Sequence, residues 1–348
     1  ESYGDRAYML MDAFTGKLNW RDQVAYVNDL SKVTKKDIMD FANKYFGNNY
    51  VAVLKHKGER TDIEKIEKPT ITPVETNADK QSAFVKMINQ MPSTPVAPVF
   101  LDYNKDLQRS KLGKAEVYYV QNKENQLYRL NFRYKIGTLN DLKMGLAAQY
   151  IQFLGTDKKS AEQISKEFYK IASSFRVHTA DEYTFVTIEG LQENFEAAVT
   201  LYENLIQNLK VDEQALEALK ARIQKYRSDV KANRNQIMQA LTSYALYGPK
   251  NKYNHALSNA EIASTTSQEL VDRLKKLNDV EQIVIYYGPA TMGELTSKLS
   301  SLHKVPATFA KVAPAKVFKQ VEQTKNQVLF TDYEMVQAET RWIRNTVP

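Results

Sequence analysis

Histidine and cysteine are the residue types that most often carry metal or nucleophilic chemistry, and this chain has four histidines and no cysteine. The lack of cysteine excludes disulfides, thiolate nucleophiles and cysteine-ligated metals. His255 and His303 are the closest pair of histidines, and they are 48 residues apart. His178 precedes Asp181 and Glu182, but a strand-to-turn segment points such side chains in different directions. We therefore expect exposed or locally hydrogen-bonded histidines instead of a metal site.

Two other kinds of site also lack a signature. Residues 155–160 do not form a phosphate-binding loop, because the first glycine and the Gly-Lys-Ser order of that motif are missing. No serine or threonine has a histidine placed so that a catalytic triad is recognisable. The sequence thus predicts no catalytic residue of its own in this chain.

Composition limits the class of protein. The chain has 348 residues, of which 43% are hydrophobic and 26% charged, which is typical of soluble globular proteins with more than one domain. The net charge of +7 is spread over interleaved acidic and basic residues, so we expect no nucleic-acid partner. No apolar run approaches the roughly 18 residues that span a bilayer, and no signal peptide opens the chain. We expect the chain to be an internal piece of a longer protein.

A strongly alternating segment at 128–136 predicts a half-buried strand. Its apolar positions are Tyr128, Leu130, Phe132, Tyr134 and Ile136, and its polar positions include Arg129, Arg133 and Lys135. Because an exposed strand can pair with an extended peptide, the three basic side chains are candidate contacts for a binding partner. A solvated polar face is the alternative interpretation.

Other segments complete an α+β pattern. Apolar residues fall on nearly every side of residues 140–154, which predicts a buried helix that Gly155 ends. Ser160 and Gln163 have capping-box spacing, so a second helix begins at once. Further strands are predicted at 50–54, 116–120, 175–179, 183–189 and 282–287, and further helices at 193–209 and 212–246. We predict an antiparallel sheet with helices packed on one side.

Internal repeats suggest how the chain is divided. The helix-opening pattern at 33–38 recurs at 265–270, and residues 328–337 are patterned like 117–126. Five prolines interrupt the segment between residues 59 and 108. We predict the end of one unit at 1–58, an interdomain connector at 59–110, a complete unit at 111–305, and a connector with the opening strands of a third unit at 306–348.

These features resemble the zinc metallopeptidase family of pitrilysin and insulin-degrading enzyme. The residues that carry the resemblance are 146–156 leading into 160–168, the loop 247–261, and the closing motif 266–289 with its earlier copy at 34–58. In catalytic units of that family the helix corresponding to 140–154 carries His-x-x-Glu-His, which supplies two zinc ligands and a general base. The resemblance places Leu146, Gln149 and Tyr150 at those three positions. None of them suits its role, so we expect no zinc and no other cofactor in this chain.

The resemblance implies a non-catalytic portion of a zinc metalloendopeptidase, most similar to its C-terminal half. Such a portion forms part of the chamber that holds a peptide or unfolded protein, and a catalytic N-terminal half in the same or a partner chain supplies the zinc. The resemblance also implies a periplasmic or cell-envelope location. Two alternatives stay open: an inert structural or assembly subunit of the same fold, and an activating partner of a separately encoded peptidase.

Overall fold

The computed structural model describes residues 3–58, 62, 64, 66–76 and 78–344. Contacts divide the chain into two units, Glu1–Thr94 and Pro95–Pro348. The predicted division into four segments is finer, and its boundaries stay a prediction. None of the described helices combines the length and hydropathy that a membrane-spanning segment requires.

The regular secondary structure described in the first unit consists of helices. Its helices are α1 (Tyr3–Thr15), α2 (Trp20–Leu30), α3 (Lys35–Tyr45) and α4 (Ala83–Gln90). Their apolar side chains are largely exposed, and Ala13 is the only buried residue among the described positions of these four helices. Residues 50–54 do not form the predicted strand, because no other described segment pairs with them. A strand needs a neighbouring strand, which a local apolar pattern cannot supply.

The second unit is built on one six-stranded sheet. The strands are β1 (Gln108–Leu112), β2 (Ala115–Gln121), β3 (Leu127–Tyr134), β4 (Ser173–Thr179), β5 (Thr184–Leu191) and β6 (Gln282–Gly288). Their order across the sheet is β1-β2-β6-β3-β5-β4. Four pairings are antiparallel, and β2 with β6 is parallel. The α+β class is confirmed, but the sheet is mixed and not wholly antiparallel as predicted.

The parallel pairing follows from the path of the chain. β2 and β3 are neighbours in sequence, yet β6 lies between them after a long helical excursion. A chain that returns through the helical layer can enter the sheet in the same direction as β2. Alternation of apolar residues sets which face of a strand is buried but carries no information about strand direction.

The described helices of this unit lie between and after the strands along the chain. They are α5 (Leu142–Tyr150), α6 (Ala161–Lys170), α7 (Phe195–Gln207), α8 (Glu213–Val230), α9 (Arg234–Tyr247), α10 (Asn259–Ser264), α11 (Ser267–Lys275) and α12 (Met292–Leu302). The predicted helix at 212–246 is two helices, because Asn233 caps α9 by accepting a hydrogen bond from the Gln236 amide. The opening strand predicted near residues 328–337 is not a strand in the structure.

The core lies between the helices and one face of the sheet. Alternate residues of β3, namely Tyr128, Leu130, Phe132 and Tyr134, are buried there, together with side chains of α5, α7 and α11. The intervening residues of the strand face the other way and stay partly exposed. Among the described residues of this unit the helices therefore cover one side of the sheet, as predicted.

A polar network crosses this core between α7 and the end of α12. The Nδ1 atom of His303 lies 2.7 Å from a carboxylate oxygen of Glu203, and its Nε2 lies 2.8 Å from the amide oxygen of Gln282. Asn278 donates to the second Glu203 oxygen and accepts from the Tyr134 hydroxyl. His303 is thus a buried histidine with partners far away in sequence, unlike the exposed or locally hydrogen-bonded histidine that the sequence predicts, and Glu203 satisfies buried groups from two other segments.

Replacement of Glu203 by alanine is expected to lower the free energy of unfolding by about 2–4 kcal/mol, because it leaves buried polar groups of His303 and Asn278 without a partner. Glu196→Ala on the same helix removes an exposed ion pair with Lys298 and should cost less than about 1 kcal/mol. Urea unfolding followed by circular dichroism measures both. Equal losses in the two variants would contradict the role given to the network.

Candidate functional site

The helix that resembles a zinc-binding helix is α5. The side chain of Asp141 caps it by accepting a hydrogen bond from the Lys143 amide, and a short 3-10 turn, Ile151–Phe153, extends its end. The helix packs against α11 on one side and β4 on the other. The buried helix predicted at 140–154 is therefore present, with its regular α-helical part shorter at both ends.

The first two candidate positions of α5 differ in environment. Leu146 is buried in the core that the helices share with the sheet. Gln149 is exposed, and its side-chain amide donates a hydrogen bond of 3.2 Å to the Gly145 carbonyl on the preceding turn. Leu146 therefore contributes to core packing, and the Gln149 side chain is hydrogen-bonded to the backbone of its own helix.

Tyr150 has a different role, which rests on its hydroxyl group. This hydroxyl donates to the Asp212 carbonyl at 2.6 Å, accepts from the Asp212 amide at 3.0 Å and lies 2.6 Å from the Ser267 hydroxyl. Asp212 is the residue that caps α8, and Ser267 is the first residue of α11. A single buried phenol therefore joins α5 to the first turns of two other helices.

Burial raises the pKa of the Tyr150 phenol above its ordinary value, while its hydrogen bonds to Ser267 and to the Asp212 backbone act in the opposite direction. The group therefore stays protonated at neutral pH and keeps its donor proton. This protonation state fits the donation to the Asp212 carbonyl. It does not suit a zinc ligand, because an anionic phenolate would be needed.

The three candidate side chains do not make a zinc donor set. Leucine has no donor atom, the Gln149 amide is not a base, and the Tyr150 hydroxyl is occupied by protein partners. Over the described residues, no group of three or more His, Cys, Asp or Glu side chains is placed to hold a metal ion. The chemistry that a His-x-x-Glu-His helix performs has no counterpart on this one.

The second candidate region is the sheet face away from the helices. Arg129 and Arg133 project from this face of β3, and Lys135 follows the end of the strand. β3 is paired with β6 on one side and β5 on the other, so its backbone is not free to bind an extended peptide. The edge strands of the described sheet are β1 and β4. Any contact with a substrate at β3 is therefore made by side chains.

The three basic side chains have different partners. Arg129 forms an ion pair with Glu189 on β5 at 3.0 Å, and Lys135 lies 3.3 Å from Glu281. The guanidinium carbon of Arg133 lies 3.7 Å from the centre of the Tyr183 ring. Over the residues that the structure describes, Arg133 has no ion pair, so its stacked guanidinium keeps an unmatched positive charge.

Neighbouring strands add aromatic and apolar side chains to this face, which the sequence had not indicated as a common surface. In the sheet register Tyr287 lies opposite Arg129, Ile285 opposite Asn131, and Phe185 opposite Arg133. Tyr287 and Ile285 are 45% and 37% exposed. We name this surface the open sheet face. It combines positive charge with exposed aromatic area, the composition of a surface that contacts polypeptides.

Residues 145–260 match the model of the insulinase family, peptidase family M16. The match begins one residue before Leu146, at the helix on which the zinc motif would lie. The predicted resemblance to this family is confirmed. No curated protein matches the chain.

Three solved structures have a similar fold. An M16 inactive domain from Pseudomonas fluorescens matches with a TM-score of 0.50 and 15% identity, over 60% of this chain and 54% of that one. The periplasmic protease PqqL from Escherichia coli matches with a TM-score of 0.53 and 13% identity, over 91% of this chain and 35% of that one. A variant of the ferredoxin protease FusC, bound to Arabidopsis ferredoxin, matches with a TM-score of 0.53 and 10% identity, over 92% of this chain and 38% of that one.

The TM-scores indicate a shared fold, and at identities of 10–15% the likeness shows the fold alone. The chain spans about half the length of the M16 inactive domain and little more than a third of either protease. The two matches that cover nine-tenths of this chain include both of its units. The likeness in fold therefore extends beyond the segment that the family model matches.

Replacement of Tyr150 by phenylalanine is expected to lower the free energy of unfolding by about 1–3 kcal/mol, because the ring is kept while its hydrogen bonds to Asp212 and Ser267 are lost. Tyr169→Phe, at an 84% exposed position of α6, should change it by less than about 0.5 kcal/mol. Urea denaturation of the two variants makes the comparison. A neutral Tyr150→Phe would show that the phenol does not join the three helices.

Proposed function

We propose that this chain is a non-catalytic portion of a pitrilysin-like zinc metalloendopeptidase and forms part of the wall of its peptide-binding chamber. A catalytic N-terminal unit, in the same or a partner chain, supplies the zinc-dependent hydrolysis. The single observation that carries this proposal is the replacement of all three zinc-motif positions on α5 by side chains that serve packing and hydrogen bonding.

The open sheet face supports the chamber role. A polypeptide held without sequence specificity needs a surface that offers apolar contact together with charge, and this face carries Tyr287, Ile285 and Phe185 beside Arg129 and Arg133. Arg133, which has no carboxylate partner among the described residues, favours segments of substrate that carry Asp or Glu. We therefore assign Arg129, Arg133 and Lys135 to substrate contact within this proposal.

Two segments support the presence of further units in the assembled protein. Residues 50–54 and 328–337 have strand patterning, yet no described segment pairs with them, and Val51, Val53 and Val328 are each at least 89% exposed. The two proteases with the same fold are each more than twice as long as the part that this chain matches. In our proposal, neighbouring units complete the sheets to which these segments belong.

The relatives also guide the proposed substrate and location. FusC is a ferredoxin protease and PqqL is a periplasmic protease. By analogy we propose a peptide or protein substrate and a periplasmic or cell-envelope location for the present protein. The analogy rests on fold.

The purified chain is expected to contain zinc at well below one equivalent and to leave unstructured peptides intact, because Leu146, Gln149 and Tyr150 provide neither ligands nor a base. Mass spectrometry of the metal content and a quenched-fluorescence peptide assay, with and without a chelator, measure the two properties. Stoichiometric zinc with chelator-sensitive cleavage would overturn the proposal.

The gene itself distinguishes the peptidase from an inert scaffold. A reading frame that encodes His-x-x-Glu-His upstream of this segment supports the zinc peptidase. A complete gene without that motif supports an assembly subunit, or an activating partner if peptidase activity co-purifies with the chain.

Photo-crosslinking tests the chamber wall directly. With p-benzoylphenylalanine in place of Tyr287, on the open sheet face, the chain should crosslink a biotin-labelled unstructured peptide rich in Asp and Glu. The same replacement of Tyr169, on the helical side, should give much less product, although Tyr169 is 84% exposed and Tyr287 only 45%. The yield at position 287 should fall in the R129Q/R133Q/K135Q background and at high salt.

If crosslinking depended on exposure alone, position 169 would give the higher yield. A higher yield at position 287 therefore indicates recognition of the peptide by the open sheet face. Equal or greater crosslinking at position 169 would contradict the chamber role of the sheet. An unchanged yield in the triple variant would show that the basic side chains do not contact the peptide. Contact by the aromatic side chains of this face would still stand.

A further inference from the structure

A cavity of about 590 Å³ lies at one end of the sheet, away from the open sheet face. Its walls are the turn before α5, the residues after α11, and an extended segment at 310–316. This volume falls in the range of small-molecule sites in proteins. Nothing in the proposed chamber function uses this cavity.

The extended segment is held in place by hydrogen bonds along its length. The Ala310 amide donates to the Asp279 carbonyl at 2.8 Å, and the Lys316 amide donates to the Leu139 carbonyl at 2.9 Å. Between them, the Asn140 side chain donates to the Ala313 carbonyl at 2.8 Å. These bonds give the cavity a defined outer wall, which a binding site requires.

The lining of the cavity is partly apolar and partly charged. Its apolar lining consists of Ile136, Leu139, Leu142, Val280 and Val312 with parts of two alanines. Its charged lining consists of four cationic side chains, Arg273, Lys276, Lys311 and Lys316, and two carboxylates, Asp141 and Asp279. A ligand that fills it needs an apolar body and an anionic group.

Most of this positive charge is not paired with a carboxylate in the part of the chain that the structure describes, although the Lys316 ammonium lies 5.8 Å from the centre of the Phe318 ring. Arg273 is paired with Asp141 at 2.7 Å. Within the described part of the chain, Lys276, Lys311 and Lys316 form no ion pair, and Asp279 is the one remaining carboxylate in the lining. These lysines come from two separate segments, the end of α11 and residues 310–316, which meet only in the folded chain.

His255 lies in the cavity wall, and the pKa of its imidazole responds to charge in the cavity. Burial lowers the pKa of its imidazole below the ordinary value, and the positive charge of Lys316 lowers it further. The ring also has a hydrogen bond to the Thr138 backbone, which holds it in the cavity wall. An anion bound beside Lys316 would offset that positive charge and should therefore raise the pKa of His255.

We propose that this cavity binds a small carboxylate with an apolar body, the chemistry offered by the free C-terminus of a short peptide that ends in an apolar residue. Lys276, Lys311 and Lys316 contact the carboxylate, and the Ile136, Leu142 and Val312 side chains contact the apolar group. A phosphate ion alone would leave the apolar walls unused. An uncharged peptide end would leave the lysines unmatched.

The test uses the full 348-residue chain and three probes: acetyl-Ala-Leu with a free carboxylate, the same peptide as its C-terminal amide, and inorganic phosphate. The ring resonance of His255, assigned with the His255→Gln variant, is followed by NMR during each titration. The acid should saturate the shift and raise the pKa of His255, whereas the amide and phosphate should bind at least about tenfold more weakly.

Two sets of lysine substitutions distinguish binding at the cavity from an effect of the overall surface charge. K276Q/K311Q/K316Q should weaken binding of the acid by about tenfold, whereas K114Q/K123Q/K304Q, which removes the same charge from exposed positions elsewhere, should leave it unchanged. 3-Phenylpropionate, a carboxylate without a peptide group, distinguishes the source of the ligand. Equal binding of both acids indicates a general carboxylate site, and preference for acetyl-Ala-Leu indicates a peptide terminus.

Three outcomes would overturn the proposal: no binding of either acid, equal binding of the acid and its amide, or tighter binding of phosphate than of the acids. The acid and amide are compared on the unaltered chain, so the result does not depend on the folding of a variant. Peptide hydrolysis is not measured, and a failure here therefore leaves the proposed chamber function untouched.

Discussion

The hydroxyl group of Tyr150 is the contact on which the arrangement of the helices most depends. It lies at the end of α5 and bonds to the residues that begin α8 and α11, so that one side chain sets the position of three helices. Helix ends have backbone groups without partners inside the helix, and a buried end needs such a partner. Tyr150 therefore acts here as a structural hydrogen-bond donor and acceptor.

The sheet below these helices divides the molecule into two chemical environments. The face under the helices is closed by aromatic and aliphatic side chains and by the Glu203–His303 network. The opposite face keeps its arginines and aromatic rings partly exposed. A period of two along each strand sends alternate residues to opposite faces, so the same strands produce both environments. The two faces therefore differ in chemistry, with packing and buried hydrogen bonds on the helical side and partly exposed charge and aromatic rings on the other.

Local patterns predicted many of the elements of the second unit, and long-range pairing explains the failures. The alternation at 128–136 and the Ser160–Gln163 capping box both formed as expected. The segments at 50–54 and 328–337 have similar local patterns but no strand, because a strand also requires a partner elsewhere in the chain. The mixed sheet was missed for a related reason, since β6 reaches its place between β2 and β3 only through the path of the intervening helices.

The sequence by itself determined the residue types at the motif positions and hence the absence of a zinc donor set on α5, because donor chemistry belongs to the side chain whatever its surroundings. It also determined which strand residues are apolar and which are basic. Only the tertiary structure decided that Tyr150 joins three helices, that β3 is paired on both edges, and that lysines 276, 311 and 316 line one cavity. Each of these depends on residues far apart in sequence, whose proximity is set by packing of the whole unit and not by any local pattern.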